Sequence, residues 1–266
     1  MTAIAILCLL LVAVAFSPLG LGGGILYVPI MHYLLDWEIK EAIVASLTLV
    51  FMVALGSSLA HSKSGYADHD AAKQGRIAAI PSAIFGVILS GLLISWVGDI
   101  GIKILASLVI IFVLDRTIRK SLSKEQLDHE EIELSSKRNQ YLIGSSFAGI
   151  SSGILGIGGG AILVTINRSV LKMDAKKAAG TSYLVAATIV PVALVSHLIF
   201  SQNFGTIYED TGSFALISVP ILVLLSAYFG AKYAIKYLPK QIVTILFLVV
   251  VSVSLLRYIS DFISII

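Results

Sequence analysis

The chain has little charge and almost no cysteine. Charged residues occupy 13% of its 266 positions, whereas apolar residues occupy 57%, and a soluble domain of this composition would lack the polar surface needed to cover itself. The single cysteine, Cys8, excludes an intramolecular disulfide and a thiolate metal site. No Lys or Arg precedes Lys40, so the first apolar block lacks a basic leader and is expected to be retained.

The apolar residues occur in long blocks without charge, such as residues 4–16, 42–59 and 242–256. Blocks of this length are typical of helices that cross the hydrocarbon core of a bilayer, which is about 30 Å thick. The longest polar stretch, residues 115–139, is too short for a separate soluble domain. These features predict an all-α membrane protein.

An internal repeat relates the two halves of the chain. A shift of 136 residues places Gly20, Gly22, Gly23 and Gly24 on Gly156, Gly158, Gly159 and Gly160, and 11 of the 28 positions from Leu19 to Ser46 are identical. The same shift places His61 on His197, and a shift of 139 places Pro81 and Gly91 on Pro220 and Gly230. The duplication therefore spans most of each half.

Each glycine cluster lies within an apolar segment of more than 30 residues, which is too long for one span as a continuous helix. Glycine weakens a helix, so each segment is expected to fold back as a hairpin. Loops on one side then carry every Lys and Arg except Lys40, Lys103 and Arg257, as the positive-inside rule requires. The prediction is two inverted repeats: repeat 1 over 1–114 (hairpin 3–35, helices about 41–60, 76–96 and 103–115), a cytoplasmic linker over 115–138, and repeat 2 over 139–266 (hairpin 140–171, helices about 175–200, 213–236 and 240–262).

The glycine breaks are the best candidates for a binding site. A break in mid-membrane frees backbone N–H groups, and the helix that follows it begins there with its positive dipole end. Two such breaks favour an anion site. The alternative is that the glycines only permit close helix packing.

The paired Gly-x-Gly-Gly-Gly segments, each followed by an Ala-rich, Ser-containing helix start (42–46 and 178–182) and by His61 or His197, resemble the signature regions of the TauE/SafE sulfite exporter family. The resemblance covers nearly the whole chain. It implies export of sulfite or of organosulfonates such as sulfoacetate across the bacterial plasma (inner) membrane. Both termini are expected outside the cytoplasm.

Polar side chains near the breaks could add hydrogen bonds to an oxyanion. Those weighted most are Ser46, Thr181, Ser182 and Asn167, although a bond to the helix's own backbone is the alternative for each. His61 and His197 are candidates for gating or proton transfer, or else amphipathic residues at the headgroup level. Arg168 aligns with His32 and either meets an incoming anion or is held by lipid phosphates. The full set near the breaks also includes Ser151, Ser152, Thr165 and Tyr183 in the second half, and Ser17 and Thr48 in the first.

The sequence carries no pattern typical of an enzyme, a metal site or a cofactor site. No Asp or Glu lies in the centre of an apolar block, which disfavours a carboxylate proton relay. The expected partners are a small anion and the lipid bilayer, without nucleic acid, while a homodimer stays open. The predicted mechanism is potential-assisted anion export by rocking of the two halves, and the rival is a proton- or sodium-coupled uptake permease for carboxylate or inorganic anions.

Overall fold

The computed structural model describes residues 2–122, 131–201 and 204–237, together with separate positions between 245 and 263. The described chain is helical and contains no strand in these ranges. Its helices are α1 (Thr2–Phe16), α2 (Gly24–Leu34), α3 (Ile39–Lys63), α4 (His69–Val97), α5 (Asp99–Leu122), α6 (Leu134–Leu155), α7 (Gly160–Ser169), α8 (Ala175–Ser201) and α9 (Phe204–Tyr237).

Four of the described segments are long and apolar enough to cross a membrane: Ile39–Lys63, His69–Val97, Ala175–Phe200 and Thr211–Ala234. Large apolar side chains are exposed along their outer faces, including Phe85 on α4 and Ile217 on α9. Exposed side chains of this kind suit contact with lipid tails rather than water. The predicted all-α membrane class is confirmed.

Local signals explain where several helices begin. At the start of α3, Glu38 and Glu41 form a reciprocal capping box, in which each carboxylate accepts a backbone N–H from the other residue. At the start of α4, the Asp68 carboxylate accepts a hydrogen bond from the amide of Ala71 at 2.9 Å. Both caps occupy amides that the first helical turn leaves without a partner.

The most extensive helix contacts join the two halves of the sequence. Helix α4 packs against α6 and α8, and α9 packs against α3 and α1. A side-chain carbon at Gly86 or Gly149 would collide with backbone of the facing helix, at Ile150 and Ala79 respectively. Glycines therefore let α4 and α6 approach closely, as small residues do between membrane helices.

The segment predicted as a linker contains the end of α5, which continues to Leu122, and the start of α6 at Leu134. Residues 123–130 lie outside the described part. The helix predicted over 240–262 falls mostly outside it as well, and residues 255–260 form its longest described helical stretch.

Candidate functional site

Two glycine turns interrupt the chain in corresponding places. The first (residues 17–23) joins α1 to α2, and the second (156–159) joins α6 to α7. Gly22 and Gly23 have φ angles of 76° and 86°, and Gly158 and Gly159 have 73° and 66°. This left-handed conformation carries a steric penalty for residues with a Cβ atom, which explains why glycine occupies both turns.

The two turns pack directly against each other. A Cβ atom at Gly24 would collide with the backbone of Ile157, and one at Gly160 would lie 2.7 Å from the carbonyl oxygen of Gly20. All eight candidate glycines are buried. Close packing thus requires glycine at several of these positions, whether or not the turns also bind an anion.

Ser46 and Ser182 link the turns through reciprocal hydrogen bonds. The Ser46 hydroxyl on α3 donates to the carbonyl oxygen of Gly156 at 2.8 Å, and the Ser182 hydroxyl on α8 donates to that of Gly20 at 3.0 Å. Ser182 is also within 3.1 Å of the Gly160 carbonyl. Each serine therefore binds a turn of the opposite half.

The two histidines also occupy equivalent positions and are buried. Nε2 of His61 lies 3.2 Å from the carbonyl oxygen of Ser17, and Nε2 of His197 lies 2.7 Å from that of Gly153. A carbonyl accepts only, so each Nε2 carries a proton and donates. Each imidazole thus binds a carbonyl at the end of the helix that precedes a turn.

Tyr183 makes the two turns different. Its fully buried hydroxyl donates to the carbonyl oxygen of Phe16 at 2.7 Å and accepts from the amide of Gly22 at 3.5 Å. The repeat places Leu47 at the equivalent position. In the sequence, Tyr183 was only one of several hydroxyl residues near the breaks. Its alignment with a leucine was the one sign that the two turns differ in their polar partners.

Two amides of the second turn, those of Gly158 and Gly159, have no such partner among the described residues. Within the described residues, neither Gly158 nor Gly159 donates a backbone hydrogen bond. A methyl carbon of Val50 lies against both turns: a Cβ atom at Gly22 would be 3.2 Å from it, and one at Gly158 would collide with it. Val50 could not be singled out from the sequence, because one valine in an apolar block has no distinguishing pattern.

The side chains of Thr181 and Asn167 form hydrogen bonds with groups outside the turns. The Thr181 hydroxyl accepts a hydrogen bond from the amide of Asp68 at 2.9 Å. The Asn167 side chain donates to the carbonyl of Ala178 at 3.0 Å, while its Oδ1 atom is buried without a partner among the described residues. Arg168 is partly buried, and its Nε atom likewise has no partner in the described ranges.

The loop between α3 and α4 packs against α8 at the end of the bundle where α3 ends and α4 and α8 begin. Gly180 packs against the carbonyl of Tyr66, where no side chain would fit. Nζ of Lys177 lies 3.4 Å from the Asp68 carboxylate and 2.6 Å from that of Glu131. These contacts hold α8 to the loop and close the bundle there.

No group of three or more His, Cys, Asp or Glu residues that could hold a metal ion occurs in the part of the chain that the structure describes. Serine, histidine and tyrosine side chains at the turns instead bind backbone carbonyls. The groups at the two turns that could bind a ligand are therefore backbone amides, which donate hydrogen bonds.

Comparisons with known proteins agree with a transport function. The family model of the sulfite exporter TauE/SafE matches residues 5–258. A probable membrane transporter protein of Methanocaldococcus jannaschii is 27% identical over 245 residues, which cover 87% of this chain and 86% of the relative. A probable membrane transporter protein of Haemophilus influenzae is 25% identical over 267 residues, covering 94% and 97%. No solved structure matches the chain significantly.

Proposed function

Because the chain belongs to the TauE/SafE sulfite exporter family of membrane transporters, we propose that it exports small sulfur oxyanions or organosulfonates, such as sulfite or sulfoacetate. The proposed site lies at the two glycine turns. The observation that carries the proposal is the pair of left-handed breaks, at Gly22 and Gly23 and at Gly158 and Gly159, in equivalent places of a duplicated membrane fold.

Backbone amides supply the attraction for the anion. Helices α2 and α7 both begin at a turn, and a helix N-terminus has about half a positive charge. The amides of Gly158 and Gly159 have no acceptor in the part of the chain that the structure describes. A compact oxyanion satisfies such groups at low dielectric, where the alternative is an unpaired buried donor.

Ser46 and Ser182 support the site by occupying carbonyl oxygens. A free carbonyl at a turn would repel an anion, and the serine hydroxyls donate to the carbonyls of Gly156 and Gly20. His61 and His197 do the same for Ser17 and Gly153. In this proposal these four side chains hold the turns in place, and the amides bind the substrate.

In the structure, the two glycine turns touch each other, and Val50 lies against both of them. Anion binding therefore requires the turns to separate. The extensive packing of α4 on α6 and of α9 on α1 opposes rocking of one sequence half against the other. We propose instead that the helices which move together come from both halves.

The membrane potential is sufficient to drive export. An anion leaving a negative interior releases roughly 2.3 kcal/mol per charge for each 100 mV. The described membrane-spanning helices have no Asp or Glu at their centres, so no carboxylate is available there for proton coupling. This supports a potential-driven exporter over the rival coupled uptake permease.

Flux from proteoliposomes tests the function. Vesicles of purified protein are loaded with labelled sulfite, sulfoacetate, sulfate or acetate, and a potassium gradient with valinomycin sets the potential. Export of sulfite or sulfoacetate that accelerates with internal negative potential is the expected result. Flux that follows an imposed proton or sodium gradient instead would establish the uptake permease, and equal flux in empty vesicles would remove the transport proposal.

A charge at position 50 tests the location of the site. Val50→Glu introduces a carboxylate against both turns, where it competes with the substrate for their amides; Val50→Gln has nearly the same size without the charge. We expect the Glu variant to lose at least tenfold more flux than the Gln variant, with both checked for folding by size-exclusion chromatography. Equal flux in two folded variants would place the anion elsewhere.

A further inference from the structure

A polar cavity lies at the end of the bundle where α3 begins and α4 and α8 end. Its volume is about 240 Å³, which is large enough for several water molecules or a small organic anion. We name it the Lys40 cavity, and its lining includes Lys40, Ile43, Ser90, Ser95, His197 and Phe200.

The charge at this cavity comes from Lys40. Its side chain is exposed and forms no ion pair with any described residue. The neighbouring carboxylates, Glu38 and Glu41, accept backbone amides in the capping box of α3 and do not line the cavity. An anion in the cavity would thus meet an ammonium group without a competing carboxylate in the lining.

The inner wall of the cavity contacts the residues just before the second glycine turn. Nε2 of His197 donates to the carbonyl of Gly153 at 2.7 Å, and the Ser90 hydroxyl donates to that of Ile154 at 3.2 Å. A Cβ atom at Gly156 would lie 2.9 Å from the carbonyl oxygen of Ile43. Residues that line the cavity therefore contact the start of the second glycine turn, although none of the turn's own residues lines the cavity.

The equivalent position in the other half is filled. His61, which corresponds to His197, is fully buried, and Gly180 nearby is packed against the carbonyl of Tyr66. The first turn also has the Tyr183 hydroxyl on its Gly22 amide. The two ends of the bundle thus differ: a cavity lies beside the second turn at the Lys40 end, whereas His61 and Gly180 are tightly packed at the opposite end.

We propose that the Lys40 cavity is a second anion site, through which the substrate passes between the second glycine turn and the exterior. This inference rests on the proposed function and adds a place and a ligand class to it. Lys40 binds a sulfonate or carboxylate group, and the apolar side chains of Ile43 and Phe200 contact a short carbon chain. The site suits a small organic anion such as sulfoacetate.

A single cysteine at Ser95, in a Cys8→Ser background, reports on the cavity without any transport assay. Labelling rates are measured with an anionic reagent, sulfonatoethyl methanethiosulfonate, and with its trimethylammonium counterpart. Lys40→Gln is expected to slow the anionic reagent by about threefold and not the cationic one, since a unit charge within several ångströms shifts a local anion concentration by about that factor. Lys103→Gln is the control, because Lys103 does not line the cavity.

Sulfoacetate should also slow labelling of the Ser95→Cys protein when Lys40 is present, and not in the Lys40→Gln variant. Any of three results would overturn the second site: neither reagent modifies the cysteine, the Lys40 and Lys103 variants have equal rate ratios, or sulfoacetate gives no protection. The flux experiment tests the proposed function separately. Potential-driven flux without these labelling effects would support export and contradict the second site. Absence of flux would contradict export itself.

Discussion

The imidazole of His197 donates a hydrogen bond of 2.7 Å to the carbonyl oxygen of Gly153. His61 makes the corresponding bond to Ser17 at 3.2 Å, and both partners of each pair are shifted by 136 residues from those of the other. In each half, the long helix that follows the hairpin, α3 or α8, thus binds the chain where the first helix of the hairpin ends. The duplication has kept a tertiary contact as well as a sequence.

Replacing either histidine by alanine should destabilise the protein. The variants His61→Ala and His197→Ala leave a buried carbonyl without its donor, which costs about 1–3 kcal/mol, and thermal unfolding in detergent measures the loss. His197→Gln retains an N–H donor and should recover part of the stability. Variants as stable as the wild type, but with an altered dependence of flux on pH, would instead favour a proton-linked role.

Two fully buried tyrosines offer a matched comparison. Tyr183→Phe removes a hydroxyl that donates to Phe16 and accepts from Gly22, so we expect a loss of about 1–3 kcal/mol. Tyr27→Phe removes a buried hydroxyl that has no partner in the part of the chain that the structure describes, and this change should be neutral or stabilising. Denaturation of both variants in the same detergent gives the comparison, and equal losses would contradict the assigned role of Tyr183.

A methyl group at the contact between the turns should also destabilise the fold. Gly160→Ala places a carbon 2.7 Å from the carbonyl oxygen of Gly20, whereas a Cβ atom at Gly91 has no neighbour within 4 Å. We expect a loss of at least about 1–3 kcal/mol for Gly160→Ala, as for overpacked cores, and almost none for Gly91→Ala. If thermal unfolding of the two variants is the same, the turns are not in direct contact.

Labelling from outside the cell tests the proposed inversion of the repeats. Ser64 follows α3, and Ser213 lies after the equivalent helix of the second half, α8. In a Cys8→Ser background, an impermeant thiol reagent should modify Ser213→Cys on intact cells and should modify Ser64→Cys only after the cells are opened. Modification of both on intact cells would mean that the repeats have the same orientation and that the termini need a new assignment.

Much of the fold could be predicted because its signals are local. Long apolar blocks indicate membrane helices wherever they occur, and closely spaced glycines weaken a helix regardless of its neighbours. The class followed from these features, and the family from the resemblance of the paired glycine segments to its signature regions; both are confirmed. The glycine site is still a proposal.

The partners of individual side chains could not be predicted in this way. Ser46 binds Gly156, and Thr181 binds the amide of Asp68, although more than 100 residues separate each pair. The repeat predicted that Ser46 and Ser182 are equivalent, but it carried no information on which half each hydroxyl contacts. The crossing of α3 and α8 decides that.

The sequence by itself determined the membrane environment, the helical class and the duplicated glycine segments, because hydrophobic length and backbone propensity act over a few neighbouring residues. Only the tertiary structure decided that the two turns touch, that Tyr183 binds the first turn, and that residues lining the Lys40 cavity contact the second. These contacts depend on how distant helices pack, and small differences between the halves then make two similar sequences structurally unequal.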